Sequence, residues 1–417
     1  MGRRLLGILF VMRRPLCRWK LAVLAVLIQL CLGAGYSWTV FRKPLESAYG
    51  WSYAETAEPF RFLLLFYAIG MTLGGWLQDR FGPRPVAMLG GLLVSLGCAF
   101  GAVFGSTQAG MAAGYATFCG FGMGFAYVSA LAVLVKWFPD RRGFIVGVAV
   151  FGFGAGSMVS APVQTKLVGS DPAQYARTLP ITFWWMAAVF FILVVGLSSF
   201  LSNPDAAHGS STVGKGAEIP PAAALRTWAF YAQWLVMLCS TAIGLSCLSE
   251  AAPYLKRLLE GDVGFGVGLM GLANGLGRVV AGMASDRIGR KPALVGVFAI
   301  YIFTCGALLP SPSSLVQGLA GMVLAAFAFG AGIACMPALC SDFFGSKHLG
   351  ANYGLVFTAF ATSGFFAPAV VSTVVQNDPE AGYRAVFAVF SGMALVGATV
   401  SALLRKPILE KHAESEA

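Results

Sequence analysis

Charge is scarce in this chain. Asp, Glu, Lys and Arg together make up 11% of its 417 residues, where soluble domains carry roughly 25%. A single water-solvated globule of this length does not fit such a composition. Acidic residues are the scarcer sign, 18 against 29 Lys and Arg. No C-x-x-C pair occurs among the nine cysteines, and His208, His348 and His412 stand too far apart to act together. Zinc patterns and disulfide frameworks are therefore absent, and neither metal nor cofactor is expected. No nucleophile–base pair is legible, so the chain does not read as an enzyme.

Apolar runs fill the space that charge leaves. Hydrophobic residues make up 57% of the chain, and a spanning helix needs about 20 mostly apolar residues. Twelve such runs begin near Leu21, Arg61, Pro85, Ala109, Gly143, Pro180, Trp228, Gly264, Pro292, Ser314, Gly350 and Tyr383. An all-α membrane protein with twelve transmembrane helices follows. The first run resembles a signal peptide, but eleven more follow it, so it is expected to stay as the first helix. The 52 glycines suit close helix packing in lipid, where small residues let backbones approach. Glycine runs such as Gly120–Gly124, Gly152–Gly156 and Gly264–Gly268 follow no soluble strand. They read as such packing faces, not phosphate loops.

The net charge of +11 raises the question of a nucleic-acid partner, and its distribution answers it. Lys and Arg crowd alternate loops: Arg3, Arg4, Arg13, Arg14, Arg18 and Lys20, then Arg80 and Arg84, Lys136, Arg141 and Arg142, Arg226, Arg287, Arg290 and Lys291, and finally Arg405 and Lys406. This alternation obeys the positive-inside rule. It places both termini in the cytoplasm of a multi-pass protein of the cell's inner membrane, with lipid as its surroundings and no nucleic-acid partner. A monomer is expected.

The only long polar stretch, NPDAAHGSSTVGKGAEIPPAAALR, spans Asn203 to Arg226 and reads as a flexible cytoplasmic linker. It divides the chain into residues 1–202, a linker at 203–227, and residues 228–417. The two flanking parts repeat. Gly75-Trp-Leu-Gln-Asp79-Arg80-Phe-Gly82-Pro-Arg84 parallels Gly282-Met-Ala-Ser-Asp286-Arg287-Ile-Gly289-Arg290-Lys291 with a spacing of 207 residues. Gly143 and Gly147 match Gly350 and Gly354 at the same spacing, and Pro162 matches Pro368 at 206. A duplicated six-helix unit with a site near the midplane between its copies is implied. The paired loops, with Arg141 and Arg142 beside them, form a candidate cytoplasmic gate held by salt bridges.

These loops resemble the signature loop of the major facilitator superfamily, with Pro83 in the first copy where Arg is usual. Trp137-Phe-Pro-Asp-Arg141-Arg142-Gly-Phe-Ile-Val-Gly147 is similar to the fifth-helix signature of monocarboxylate transporters. Ile28-Gln29-Leu-Cys-Leu-Gly33-Ala-Gly35-Tyr36-Ser37-Trp38 and Asn274-Gly-Leu-Gly277-Arg278 resemble the oxalate/formate antiporter family. The resemblance implies the major facilitator fold, two six-helix pseudo-symmetric bundles that work by alternating access.

Arg278 is the most informative residue. Eight residues separate it from Asp286, which at 1.5 Å per residue is roughly 12 Å, near the middle of a ~30 Å hydrocarbon core. An arginine there costs at least about 2.5–3.5 kcal/mol, and no Asp or Glu lies at similar depth. The matching position in the first half is Met71, so the charge is not part of the shared scaffold. It reads as an anion site, because a guanidinium presents a planar fork to a carboxylate. The alternative is a structural arginine bonded to backbone carbonyls. Asn274, four residues earlier, shares its face and is expected to donate a second hydrogen bond to the same anion. In some monocarboxylate transporters an Asp stands there, so Asn removes a titrating group. Tyr127 lies about 13 Å from the helix end at Lys136. Tyr36 lies nearer the outer side. The resemblance implies tyrosines around substrate at both positions.

One cation suits one negative charge. The related oxalate exchanger carries a second cation on its eleventh helix, but Gly350 to Val374 holds no Lys or Arg here. The expected cargo is a small monocarboxylate such as lactate, pyruvate or formate, moved with protons. An organic-anion exchanger and an anion-binding sensor are the alternatives.

Overall fold

The computed structural model describes residues 17–52, 55–204, 218–258 and 264–407. The basic residues Arg3 to Arg14 and most of the expected linker lie outside this set. Among the described residues, twelve helical segments are long and apolar enough to cross a membrane. In chain order they are α1 (Arg18–Tyr49), α2 (Glu55–Phe81), α3 (Pro83–Phe104), α4 (Gln108–Trp137), α5 (Arg142–Val168) and α6 (Pro172–Ser198), then α7 (Trp228–Ser249), α8 (Gly266–Ile288), α9 (Arg290–Leu308), α10 (Leu315–Phe344), α11 (Leu349–Gln376) and α12 (Pro379–Leu403). Each holds one of the twelve expected apolar runs, and no strand occurs among the described residues.

Local chemistry sets several of the boundaries. Thr227 caps α7 by accepting the Phe230 N–H at 3.3 Å. Asp378 caps α12 by accepting those of Glu380 and Ala381, each at 3.0 Å. Both are ordinary N-cap chemistry, a side-chain oxygen taking an orphan amide. Gly82 and Gly289 end α2 and α8 with φ of 86° and 93°, a backbone region that side chains with Cβ rarely enter. These are equivalent positions of the repeat.

The outward faces carry large exposed apolar side chains such as Trp76, Ile192, Val316 and Phe366, as lipid-facing surfaces do. The inward faces meet along two seams, and the repeat relates them. At the first seam, α5 crosses α8. A Cβ on Gly143 would stand 2.4 Å from the Gly282 carbonyl oxygen, and one on Gly147 would stand 2.3 Å from that of Arg278. At the second, α11 crosses α2. A Cβ on Gly350 would stand 2.6 Å from the Gly75 carbonyl oxygen, and one on Gly354 would stand 2.6 Å from that of Met71. Only glycine permits backbones this close. The 207-residue spacing thus has a structural cause: each half contributes one donor and one acceptor of the same helix crossing.

The described end of the inter-half segment is not a free linker. The Ile219 N–H donates to the Phe344 carbonyl at 2.9 Å, and Asn352 Nδ2 donates to the Ile219 carbonyl at 2.9 Å. The Glu218 carboxylate accepts the Lys347 N–H at 2.8 Å. Ile219 is fully apolar and buried, which explains why the segment docks where its polar composition suggested flexibility.

Candidate functional site

Arg278 lies on α8 at the crossing with α5 and is 4% exposed. Its Nε donates to Asn274 Oδ1 at 3.1 Å, and its Nη1 donates to the backbone carbonyl of Val150 on α5. The guanidinium therefore reaches from the second half of the chain to the first. Gly154 makes room for it: a Cβ there would stand 3.2 Å from Cζ and Nη1. A guanidinium carries five N–H donors, and these two acceptors are the ones it has among the described residues. No carboxylate is among them. Among the described residues, the Nη2 end has no hydrogen-bond acceptor.

Asn274 has a structural task. Its Nδ2 donates to the Ala326 carbonyl on α10 at 3.2 Å, and its Oδ1 is taken by Arg278. The amide therefore holds the guanidinium in place, and one of its two N–H groups is taken by Ala326. Gly330 lets this happen, since a Cβ there would stand 1.9 Å from the Asn274 carbonyl oxygen. The bond to Ala326 is invisible in sequence because it depends on α10, whereas the bond to Arg278 joins residues four apart on α8.

Aromatic rings pack close to the guanidinium. Tyr127 on α4 lies against Tyr67 of α2 and Phe153 of α5, with ring centroids 5.6 and 5.1 Å away. Tyr36 packs edge-on against Phe153 at 5.2 Å. Tyr67 meets Phe357 of α11 at 5.2 Å, and Phe357 meets Tyr353 at 5.8 Å. The phenols of Tyr127, Tyr36, Tyr67 and Tyr353 all lie within electrostatic reach of Arg278. The structure thus brings Arg278, Asn274, Tyr127 and Tyr36 together and adds Tyr67 and Tyr353 from α2 and α11. The result, among the described residues, is a buried cluster of a guanidinium, phenol hydroxyls and apolar ring edges. Such a grouping suits a small, singly charged, planar guest.

The residues of the candidate gate gather at one end of the molecule. Asp286, at the end of α8, accepts the N–H groups of Gly143 and Phe144 at 2.8 Å each. It thereby caps α5 from the other half of the chain. Asp79, at the end of α2, accepts the N–H of Gly350 at 3.3 Å and that of Ala351 at 2.8 Å, capping α11. A carboxylate at a helix N-terminus meets both orphan amides and the positive end of the dipole. Gly75 and Gly282 bring the helices close enough for this.

Ion pairs reinforce one cap and not the other. Arg290 pairs with Asp286 at 2.6 Å and with Asp342 at 2.9 Å, and Arg142 pairs with Asp342 at 2.8 Å. The position equivalent to Arg290 is Pro83. Asp79 instead accepts from its neighbour Gln78 and lies within electrostatic reach of Lys136. The sequence pattern pointed to the arginines next to each aspartate, and these do not pair with it. Arg80 is exposed and lies over the Trp76 and Phe81 rings at 5.6 and 5.4 Å, and Arg287 is exposed. Adjacent helical residues do not face the same way. Arg141 meets Asp140 at 3.7 Å on the surface, and Arg84 donates to the Leu201 carbonyl at 3.4 Å.

Three comparisons with known proteins bear on this arrangement. The family model of the Major Facilitator Superfamily matches residues 23–368 and, in an overlapping second match, 235–417. The chain is 29% identical over 366 residues to the oxalate:formate antiporter of Oxalobacter formigenes, covering 86% of this chain and 85% of that one. It is 23% identical over 354 residues to apicoplast pyruvate carrier 1 of Toxoplasma gondii, covering 69% and 64%. Among solved structures, the proton:xylose symporter XylE superposes with a TM-score of 0.72 at 16% identity, over 92% of this chain and 94% of that one.

Proposed function

The chain belongs to the Major Facilitator Superfamily and is a membrane transporter, and we propose that its cargo is a small monocarboxylate such as lactate, pyruvate or formate. In this reading the protein works by proton symport with alternating access. It sits in the inner membrane with the Asp79 and Asp286 loops and both termini on the cytoplasmic side.

The observation that carries the reading is the state of Arg278. The guanidinium is enclosed at mid-depth, has no carboxylate partner among the described residues, and keeps its Nη2 end unbonded. A carboxylate docked there would neutralise a charge that is otherwise expensive in a low-dielectric interior. The pyruvate carrier among the relatives supports a monocarboxylate.

A second reading has its own support. The Oxalobacter relative favours exchange of organic anions of the oxalate/formate type. Against a dicarboxylate stands the lack of Lys or Arg from Gly350 to Val374, which would leave the second carboxylate facing phenols and rings. Uptake of radiolabelled lactate, pyruvate, formate and oxalate into proteoliposomes, for wild type and Arg278→Ala, tests both. Undiminished uptake in the variant removes Arg278 from the mechanism. Oxalate outcompeting pyruvate selects the exchanger. A pH gradient that leaves pyruvate flux unchanged overturns proton symport.

A further inference from the structure

Of the phenols around Arg278, Tyr353 is the one whose hydroxyl is both fully buried and without a hydrogen bond. It is 1% exposed, and its hydroxyl has no hydrogen-bond partner among the described residues. A buried polar group left unpaired carries a penalty of about 1–3 kcal/mol. The hydroxyl neighbours that of Tyr127 and lies within electrostatic reach of Arg278, so it belongs to the same cluster. It does not take part in the gate's hydrogen bonds, and the reading above does not use it.

The position of Tyr353 on α11 adds a second argument. Gly350 and Ala351, one turn earlier, give their N–H groups to Asp79. Thr72 of α2 donates to the carbonyl of Gly354, the next residue, at 2.9 Å. The backbone around Tyr353 is thus pinned to α2 on both sides. Its ring is held at an angle of 64° against Phe357. The hydroxyl is left with that of Tyr127 as its polar neighbour, on a side chain that cannot easily turn away.

We propose that Tyr353 is the second anchor of the cargo, its hydroxyl donating to an oxygen on C2 of a 2-oxo- or 2-hydroxymonocarboxylate whose carboxylate lies on Arg278. This inference rests on the monocarboxylate reading and narrows it. A plain acid of the same size satisfies the guanidinium but leaves the phenol unpaired. A site built to hydrogen-bond a substrate oxygen discriminates strongly against an analogue that lacks it, because its own polar group is then stranded. A neutral hydroxyl, unlike a second cation, supports an oxo or hydroxyl group without calling for a second negative charge.

Pyruvate and propionate test the inference, since they share chain length and charge and differ at C2. Both are measured as radiolabelled uptake by the full-length protein in proteoliposomes. Wild type is expected to prefer pyruvate. Tyr353→Phe keeps the ring and removes one oxygen, and the pyruvate-to-propionate ratio of kcat/KM is expected to fall about tenfold, the scale of one hydrogen bond. An unchanged ratio, or equal losses for both acids, overturns the inference. Thermal unfolding in detergent reads the same contact without turnover: pyruvate is expected to raise Tm of wild type more than that of the variant, and equal shifts count against the assignment. Failure of the underlying reading looks different. It appears as pyruvate uptake that survives Arg278→Ala, whatever Tyr353→Phe does. Wild-type vesicles that take up neither acid overturn both.

Discussion

Asp286 and Gly143 belong to different halves of the chain, and the Asp286 carboxylate accepts the Gly143 N–H at 2.8 Å. The equivalent pair is Asp79 with Gly350, at 3.3 Å. The two caps are built to one plan but are unequal, because Arg290 and Asp342 back the first and Pro83 leaves the second without that arginine.

This inequality is measurable. Asp286→Asn leaves Arg290 and its surroundings, 12% exposed, short of a negative charge, and breaking one side of a buried pair costs about 3–5 kcal/mol. Asp79→Asn removes a cap without stranding an arginine partner, nearer the ~1 kcal/mol of a typical cap. Initial uptake rates should therefore fall much further for Asp286→Asn. Equal losses would show that the ion pairs add nothing to the cap.

Gly75→Val tests the seam itself. A Cβ at Gly75 would stand 2.0 Å from the Gly350 carbonyl oxygen, so α2 and α11 cannot close. Cys340 on α10 is fully buried in wild type and lies within electrostatic reach of Asp79. A membrane-impermeant maleimide is expected to label it in the variant and spare it in wild type, with mass spectrometry locating the adduct. Transport is expected to be lost. A variant that transports normally would mean the seam does not need this contact.

Arg278→Met separates structure from recognition. Met71 occupies the equivalent position in the first half and is fully buried, so the scaffold accepts this side chain. Replacing a buried charge with a hydrophobe of similar size is often neutral or stabilising by about 1–4 kcal/mol. The expectation is an unchanged or raised Tm with uptake abolished. A collapse in Tm would instead identify the arginine as a structural post.

Gly154→Val probes the space beside the guanidinium. The first added carbon would lie 3.2 Å from Cζ, and the branches would press further. KM is expected to rise at least about fivefold, the effect of roughly 1 kcal/mol of lost binding. Gly196→Val is the control, as nothing lies within 4 Å of a Cβ there. Matching effects at the two positions would mean that the result reports helix propensity and not the site.

Much of this was legible before any coordinates. The twelve runs give the spans because lipid leaves helices few alternatives. The spacing of Asp79 and Asp286 gives the two halves, and Arg278 announces itself because an unpaired charge at that depth is rare. The partners were not legible. Asp79 caps a helix that begins 270 residues further on, and no local pattern encodes such a contact. The bond from Asn274 to the Ala326 carbonyl has no sequence signal, because every residue has a carbonyl. Tyr353 was missed because depth was reckoned from Cα positions. It stands only four residues into α11, but its ring reaches the cluster that Tyr127 joins from α4.

The bond from Arg278 to the Val150 carbonyl has a consequence for how the molecule turns over. The group that would grip an anion is the same group that fastens α8 to α5. On the proposed reading a carboxylate held at the open Nη2 end would sit beside the Nη1 bond to Val150, so cargo and helix crossing would share one guanidinium.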